Sequence, residues 1–178
     1  MADSLLPTAP ALDEPLEMLG ACHDRIEAQL RTLERLLDYL PAHGADAQAR
    51  GAAQAVLRYF ELAGPNHHED EERDLFPVLA ARAAPAEAAS VQALIRDLLD
   101  DHARMAAALA VMRGQLAPIA AGEAAQLDEA AVRRLASLYR GHIARENGEL
   151  LPLARRLLAA DDVRALSVAM SARRGVKH

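Results

Sequence analysis

Two histidine–glutamate pairs, His67 with Glu71 and His142 with Glu146, are the residues of this sequence best spaced to do chemistry. In both copies the glutamate follows its histidine by four residues, an apolar pair stands at positions eight and nine (Leu75-Phe76 and Leu150-Leu151), and a proline at ten (Pro77 and Pro152). Residues four apart share one face of an α-helix, so each pair presents an imidazole nitrogen and a carboxylate together. That is half of a metal site, and its internal repetition predicts a whole one.

The elements that must carry these pairs follow from hydrophobic periodicity. Leu16, Leu19, His23, Ile26, Leu30, Leu33, Leu37 and Leu40 form one buried stripe of a first helix, which starts near Asp13 and is ended by residues 41–44. A second helix from about Asp46 turns Val56, Phe60, Ala63, His67, Glu71, Leu75 and Val78 inward, with a kink at Gly64-Pro65 and a loosened end at Pro77. A third, opened by Ala84-Pro85, buries Val91, Ile95, Leu98, His102, Met105, Leu109, Met112 and Leu116. A fourth, from Leu127 or Asp128, buries Leu135, Leu138, His142, Glu146, Leu150, Leu153 and Leu157. Residues 161–170 predict a short C-terminal helix, residues 171–178 a frayed tail and residues 1–12 a flexible arm. The expectation is one all-α domain over residues 13–178, an up-down-up-down four-helix bundle. Its two halves repeat: a helix with one inward histidine, then a helix with inward His and Glu, giving an internal two-fold pseudo-repeat.

Composition agrees. With three Tyr, two Phe and no Trp among 178 residues, the chain suits helices better than a sheet and is long enough for one core. A net charge of -6 with dispersed Lys and Arg argues against nucleic acid or an anionic membrane as partner. No basic-then-apolar leader and no membrane-length apolar run is visible, so a soluble cytoplasmic protein, monomer or homodimer, is expected. Cys22 is the single cysteine and allows neither an internal disulfide nor a thiolate cluster. A metal must therefore be held by nitrogen and oxygen.

His23, His67, Glu71, His102, His142 and Glu146 converge on the bundle axis in this reading. Burying them together costs several kcal/mol per charged group unless compensated, against a total stability of about 5–15 kcal/mol, and cations supply the compensation. Imidazole with carboxylate suits iron, manganese or zinc. Six protein ligands exceed one tetrahedral zinc but suit two ions bridged by the two glutamates, each with two histidines, a shared oxo or hydroxo group and an open position. Apart from the ligands the stripes are apolar, which suits a small gaseous ligand.

With His23, His67-x3-Glu71 before Leu75-Phe76-Pro77, His102, and His142-x3-Glu146 before Leu150-Leu151-Pro152, residues 16–159 resemble the hemerythrin-like, or HHE cation-binding, domain. The resemblance implies a four-helix bundle with a non-haem di-iron centre bridged by Glu71 and Glu146. Oxygen-carrying hemerythrins have His-x3-His on the third helix, whereas Ala106 stands four residues after His102 here. Four histidines and two glutamates is the set of the di-iron proteins that repair iron centres, which carry an extra N-terminal domain for which this chain has no room. The resemblance thus implies a centre that binds or reacts with O2, NO or peroxide, or supplies iron in a stress response. The alternative is a metal-binding or sensing module that acts through a partner without turnover.

Other residues have plainer expectations. His68 with Glu72 is an alternative register for the first pair, and His68, Glu69, Asp70 and Glu72 otherwise form a solvated acidic face. Asp74 and Glu149 could orient an imidazole but read as surface. Tyr39, Tyr59 and Tyr139 read as packing, with Tyr139 nearest His142. Cys22 points about 100° from His23 and is not expected to ligate. His43 and His178 read as solvated.

Overall fold

The structure is a computed structural model that describes residues 14–176. Within them every regular element is helical: α1 (Pro15–His43), α2 (Ala47–Leu62), α3 (Gly64–Glu69), α4 (Phe76–Arg82), α5 (Ala88–Ala121), α6 (Glu129–Arg145), α7 (Leu151–Leu157) and α8 (Ala160–Arg173). Two π-helical segments, Asp70–Leu75 and Glu146–Leu150, join α3 to α4 and α6 to α7. The arm at residues 1–12, the start near Asp13 and His178 lie outside the described residues. No helix among the described residues is long and apolar enough to cross a membrane.

Local chemistry sets the helix ends. Asp46 caps α2 by accepting from the Ala49 amide at 2.8 Å, and Asp128 caps α6 by accepting from the Ala130 and Ala131 amides. Gly44, at φ 64°, ends α1 by donating to the Leu40 carbonyl. The expected break at Gly64-Pro65 is present as the short step between α2 and α3. It turns Ala63, placed in the inward stripe on sequence grounds, out to solvent.

α1 packs on α2, α2 on α5, α5 on α6 and α6 on α1, a closed ring of four. The core is split into two apolar clusters. One runs from Ile26 to Leu40 on α1 and includes Val56, Phe60, Met112, Leu116, Leu135 and Tyr139. The other gathers Leu16, Leu19, Leu75, Leu79, Leu98, Leu150, Leu151 and Met170. In sequence, the metal-ligand candidates on all four sides of the ring fall between these clusters, and they are buried.

The π segments were not expected, and they correct the inward stripes. Pro77 and Pro152 have no amide hydrogen to donate four residues back, and their rings crowd that carbonyl. The chain answers with a wider turn: the Phe76 amide donates to the Glu71 carbonyl, and the Leu151 amide to the Glu146 carbonyl, five residues back. Each slip moves the inward face on by one residue. Leu79 is buried instead of Val78, and Leu151 and Ala154 instead of Leu153 and Leu157, which are half-buried.

α8 is longer than expected, and residues 171–174 are not a frayed tail. It packs on α1 and on the first π segment. There Arg173 pairs with Asp70, with Asp74 at 2.7 Å and with Glu69 at 3.2 Å, while Arg174 reaches Asp70 at 2.5 Å. Asp70 is therefore a buried anion between two guanidinium groups and not part of a solvated face. Truncating both arginines, Arg173→Ala with Arg174→Ala, leaves that carboxylate unpaired and should destabilise the protein by about 3–5 kcal/mol in urea unfolding. Arg164→Ala, which removes only an exposed pair with Asp161, should change stability by less than about 1 kcal/mol.

Candidate metal centre

The structure brings all six expected residues together. His23, His67, Glu71 and Glu146 form one buried four-donor set, and Glu71, His102, His142 and Glu146 another, with the donor atoms of each set within 4.8 Å of one another. Both carboxylates belong to both sets. His23 Nε2 lies 2.8 Å from Glu146 Oε2, His142 Nε2 3.2 Å from Glu146 Oε1, and His67 Nε2 3.4 Å from Glu71 Oε1. His102 Nε2 lies 3.4 Å from Glu71 Oε2. All of these nitrogens and oxygens point into one polar layer.

Outer partners decide which imidazole nitrogen faces that layer. His23 Nδ1–H donates to Asn147 Oδ1 at 2.8 Å, and His102 Nδ1–H donates to Glu72 Oε1 at 2.6 Å. Both contacts leave the Nε2 lone pair turned inward, the form that binds a cation. Asp101 Oδ2 stands 3.7 Å from His142 Nδ1 and is itself held by Arg104 and by Arg145 at 2.9 Å. Sequence reasoning missed Asn147 and Asp101 and left Glu72 on the surface. Each is adjacent in sequence to a ligand candidate, about 100° away around its helix, and so serves the histidine of the next helix in the ring. Asp74 and Glu149, considered for this role, do not fill it: Asp74 pairs with Arg173 and Glu149 is exposed.

The donor set fits metal cations. Both nitrogens of His67, both carboxylate oxygens of Glu71 and of Glu146, and His23 Nε2 are buried without a hydrogen-bond partner. His102 Nε2 and His142 Nε2 face each other at 3.2 Å. With Glu72 keeping the proton of His102 on Nδ1, His142 donates from Nε2 to the facing His102 nitrogen, a hydrogen bond that a bound cation would replace.

Electrostatics record the same strain. Burial pushes the Glu71 carboxyl well above the usual carboxylate range, and the facing Glu146 adds to it. Burial pushes Glu146 up too, but the imidazoles of His142 and His23 outweigh it and hold this carboxyl well below the range. Burial keeps His67 well below the ordinary imidazole value against the pull of Glu146. His68, which stacks on His102 with ring centres 3.9 Å apart, is lowered by burial and by His102 to about 3.

The remaining residues lie outside the donor sets. Burial raises the Cys22 thiol, and Cys22 belongs to neither donor set. Tyr139 packs beside Phe60, and the Tyr59 hydroxyl, pushed by burial to about 12, approaches the Cys22 carbonyl at 3.5 Å. Tyr39 donates to Asp46 and stacks on the exposed His43, far along the bundle.

The signs of these shifts give a pH dependence for the metal-free protein. His67 has a depressed value, so its contribution to stability is present above about pH 6.5 and is lost as pH falls towards the folded value. Glu71 has a raised value, so its contribution is present below about pH 4.5 and is lost as pH rises through the folded value. Glu71→Gln removes the second loss. It should raise the urea midpoint of metal-free protein at pH 7 while abolishing retention of metal, measured by unfolding curves and elemental analysis on one preparation.

Two comparisons with known proteins bear on this geometry. Residues 14–154 match the model of the hemerythrin HHE cation-binding domain, a span that contains every residue of both donor sets. An uncharacterized protein of Haemophilus influenzae is 34% identical over 165 residues, covering 93% of this chain and 92% of that protein. A family model spanning most of the chain, found around a buried His–Glu cluster of the matching chemistry, identifies the chain as a member of the hemerythrin HHE cation-binding family.

Proposed function

We propose that this protein is a di-iron protein in which Glu71 and Glu146 bridge two ions, one also held by His23 and His67, the other by His102 and His142. One observation carries the reading: two four-donor sets share both carboxylates, whereas independent mononuclear sites would share neither. Membership of a cation-binding family supports it, and iron, with its preference for mixed imidazole and carboxylate donors, is the metal the family implies. The ring of four helical arms is read as an up-down-up-down bundle whose two-fold pseudo-repeat relates the two pairs.

The centre binds or reacts with a small ligand, O2, NO or peroxide, or supplies iron when such species damage iron centres, in the cytoplasm. A pocket of about 290 Å³ supports a small ligand: Phe60, Leu109 and Tyr139 line it, and His68, stacked on His102, forms part of its wall. A second reading, a sensing module without turnover, is favoured by α8. Its arginines grip Asp70, one residue from Glu71, so a change at the metal reaches the C-terminal helix directly.

Protein loaded anaerobically with ferrous iron should hold about two irons per chain. Glu146→Ala should lose both together, because it removes a ligand from each. Loss of a single ion would contradict bridging, and no uptake at all would sink the di-iron reading. Exposure of the reduced, loaded protein to O2, NO and peroxide should change its visible spectrum with at least one of them. Unchanged spectra with all three would favour the sensing module.

A further inference from the structure

We propose that the outer face of α5 between Gln92 and Ala106, with the groove beside α4, is the contact surface for a second copy of this chain, the two α5 helices packing antiparallel about a two-fold axis at Leu99. The inner face of α5 serves the core and carries His102. Its outer face has a regular pattern of its own: Gln92, Arg96, Leu99, Ala103 and Ala106 are all exposed and follow one another at steps of four and three. That spacing lines one side of a helix and lets two helices pack along their length.

Three observations distinguish this face from a merely solvated one. Leu99, the largest apolar side chain of the stripe, is 39% exposed. Beside it, between α5 and α4, lies a groove of about 360 Å³ whose apolar lining includes Phe76, Pro77 and Ile95. Two opposite charges border the groove without pairing with each other. Arg96 enters no ion pair among the described residues, and Glu72, which accepts from His102 Nδ1, keeps a side chain 42% exposed. An exposed leucine, an apolar hollow, a cation and an anion on one surface make that surface complementary to itself, which is what a two-fold contact requires.

The register follows from the axis. In an antiparallel pair about Leu99, residues equally far before and after position 99 stand level with one another. Arg96 then stands level with residue 102 of the second copy, and Glu72 touches His102 at that level. Each copy thus offers its guanidinium to the Glu72 of the other. Ile95 comes opposite Ala103 and Gln92 opposite Ala106, where a methyl group leaves room for the larger side chain. The stripe is about 21 Å long, and the α4 edge of the groove widens it towards the roughly 800 Å² per copy that a stable dimer buries. Assembly also reaches the metal centre, because the Glu72 carboxylate that it pairs is the one holding the His102 proton.

Sedimentation equilibrium of the full chain as purified should give twice the 19.1 kDa of one chain. Leu99→Asp, which brings two carboxylates together at the axis, and Arg96→Glu, which sets a like charge against Glu72, should each raise the dimer dissociation constant on the order of tenfold or more. Both positions are exposed, so circular dichroism should show the wild-type helix content. Leu99→Cys should be joined to its twin by a short bis-maleimide, whereas Val111→Cys, on the same helix and 56% exposed but off the stripe, should not. A wild-type chain that stays monomeric up to millimolar concentration would overturn the proposal and leave the groove to a different partner. A dimer that survives both charged substitutions and is not joined through Leu99→Cys would overturn it as well, by placing the interface elsewhere. Neither result bears on the number of ions in the centre.

Discussion

The structure depends on one constraint: ionisable groups that require compensation are buried in a layer between two apolar clusters. Four imidazoles and two carboxylates are withdrawn from water there, and most of their inward atoms find no hydrogen bond. Isolated charges in such a place cost several kcal/mol each, comparable with the stability of a whole domain. In the metal-free chain burial and the facing Glu146 favour the neutral form of Glu71, while the imidazoles of His142 and His23 favour the ionised form of Glu146. Cations remove the cost altogether. The apolar clusters on either side set the dielectric that makes the compensation worth so much.

The second element of the design is the π-helical turn, which occurs at the same place in both motif copies. Each begins where the chain must carry a glutamate inward and, a few residues later, accommodate a proline. The extra residue in the turn lets the glutamate and histidine face the centre while the following leucines, one register on, still reach the core. A regular helix through Pro77 would strand the Arg73 carbonyl against the ring of the proline. The first π segment is further fixed by α8, whose two arginines neutralise Asp70 next to Glu71. A wide turn, poorer in regular hydrogen bonding, is thus tied down at the point where ligand geometry matters.

The pseudo-repeat is exact in the inner ligands and inexact behind them. Position five of each motif supports a histidine on the next helix, through the carboxylate of Glu72 in one half and the amide of Asn147 in the other. The residue before each lone histidine is Asp101 in one half and Cys22 in the other. Asp101 stands 3.7 Å from His142 Nδ1, and neither that nitrogen nor His67 Nδ1 has a hydrogen-bond partner. A carboxylate behind an imidazole raises its basicity, so the two ends of a symmetric-looking centre differ in electron donation.

The sequence by itself determined the helices, their order and the six inward donors, because helical periodicity and the His-x3-Glu spacing are local properties. His23 and His102 were legible as polar interruptions of apolar stripes. Tertiary structure decided what depends on the neighbouring helix. Asn147, Glu72 and Asp101 look like surface residues on their own helices and acquire a role only when the next helix presents a histidine. Asp70 reads as solvated until α8 folds back with Arg173 and Arg174. The π slips shifted Leu79, Leu151 and Ala154 into the core, since an ideal 3.6-residue period cannot show where a proline will widen the turn. The choice between His67 and His68 also belonged to tertiary structure: neighbouring side chains on one helix diverge, and only the packed bundle shows that both directions lead to histidines.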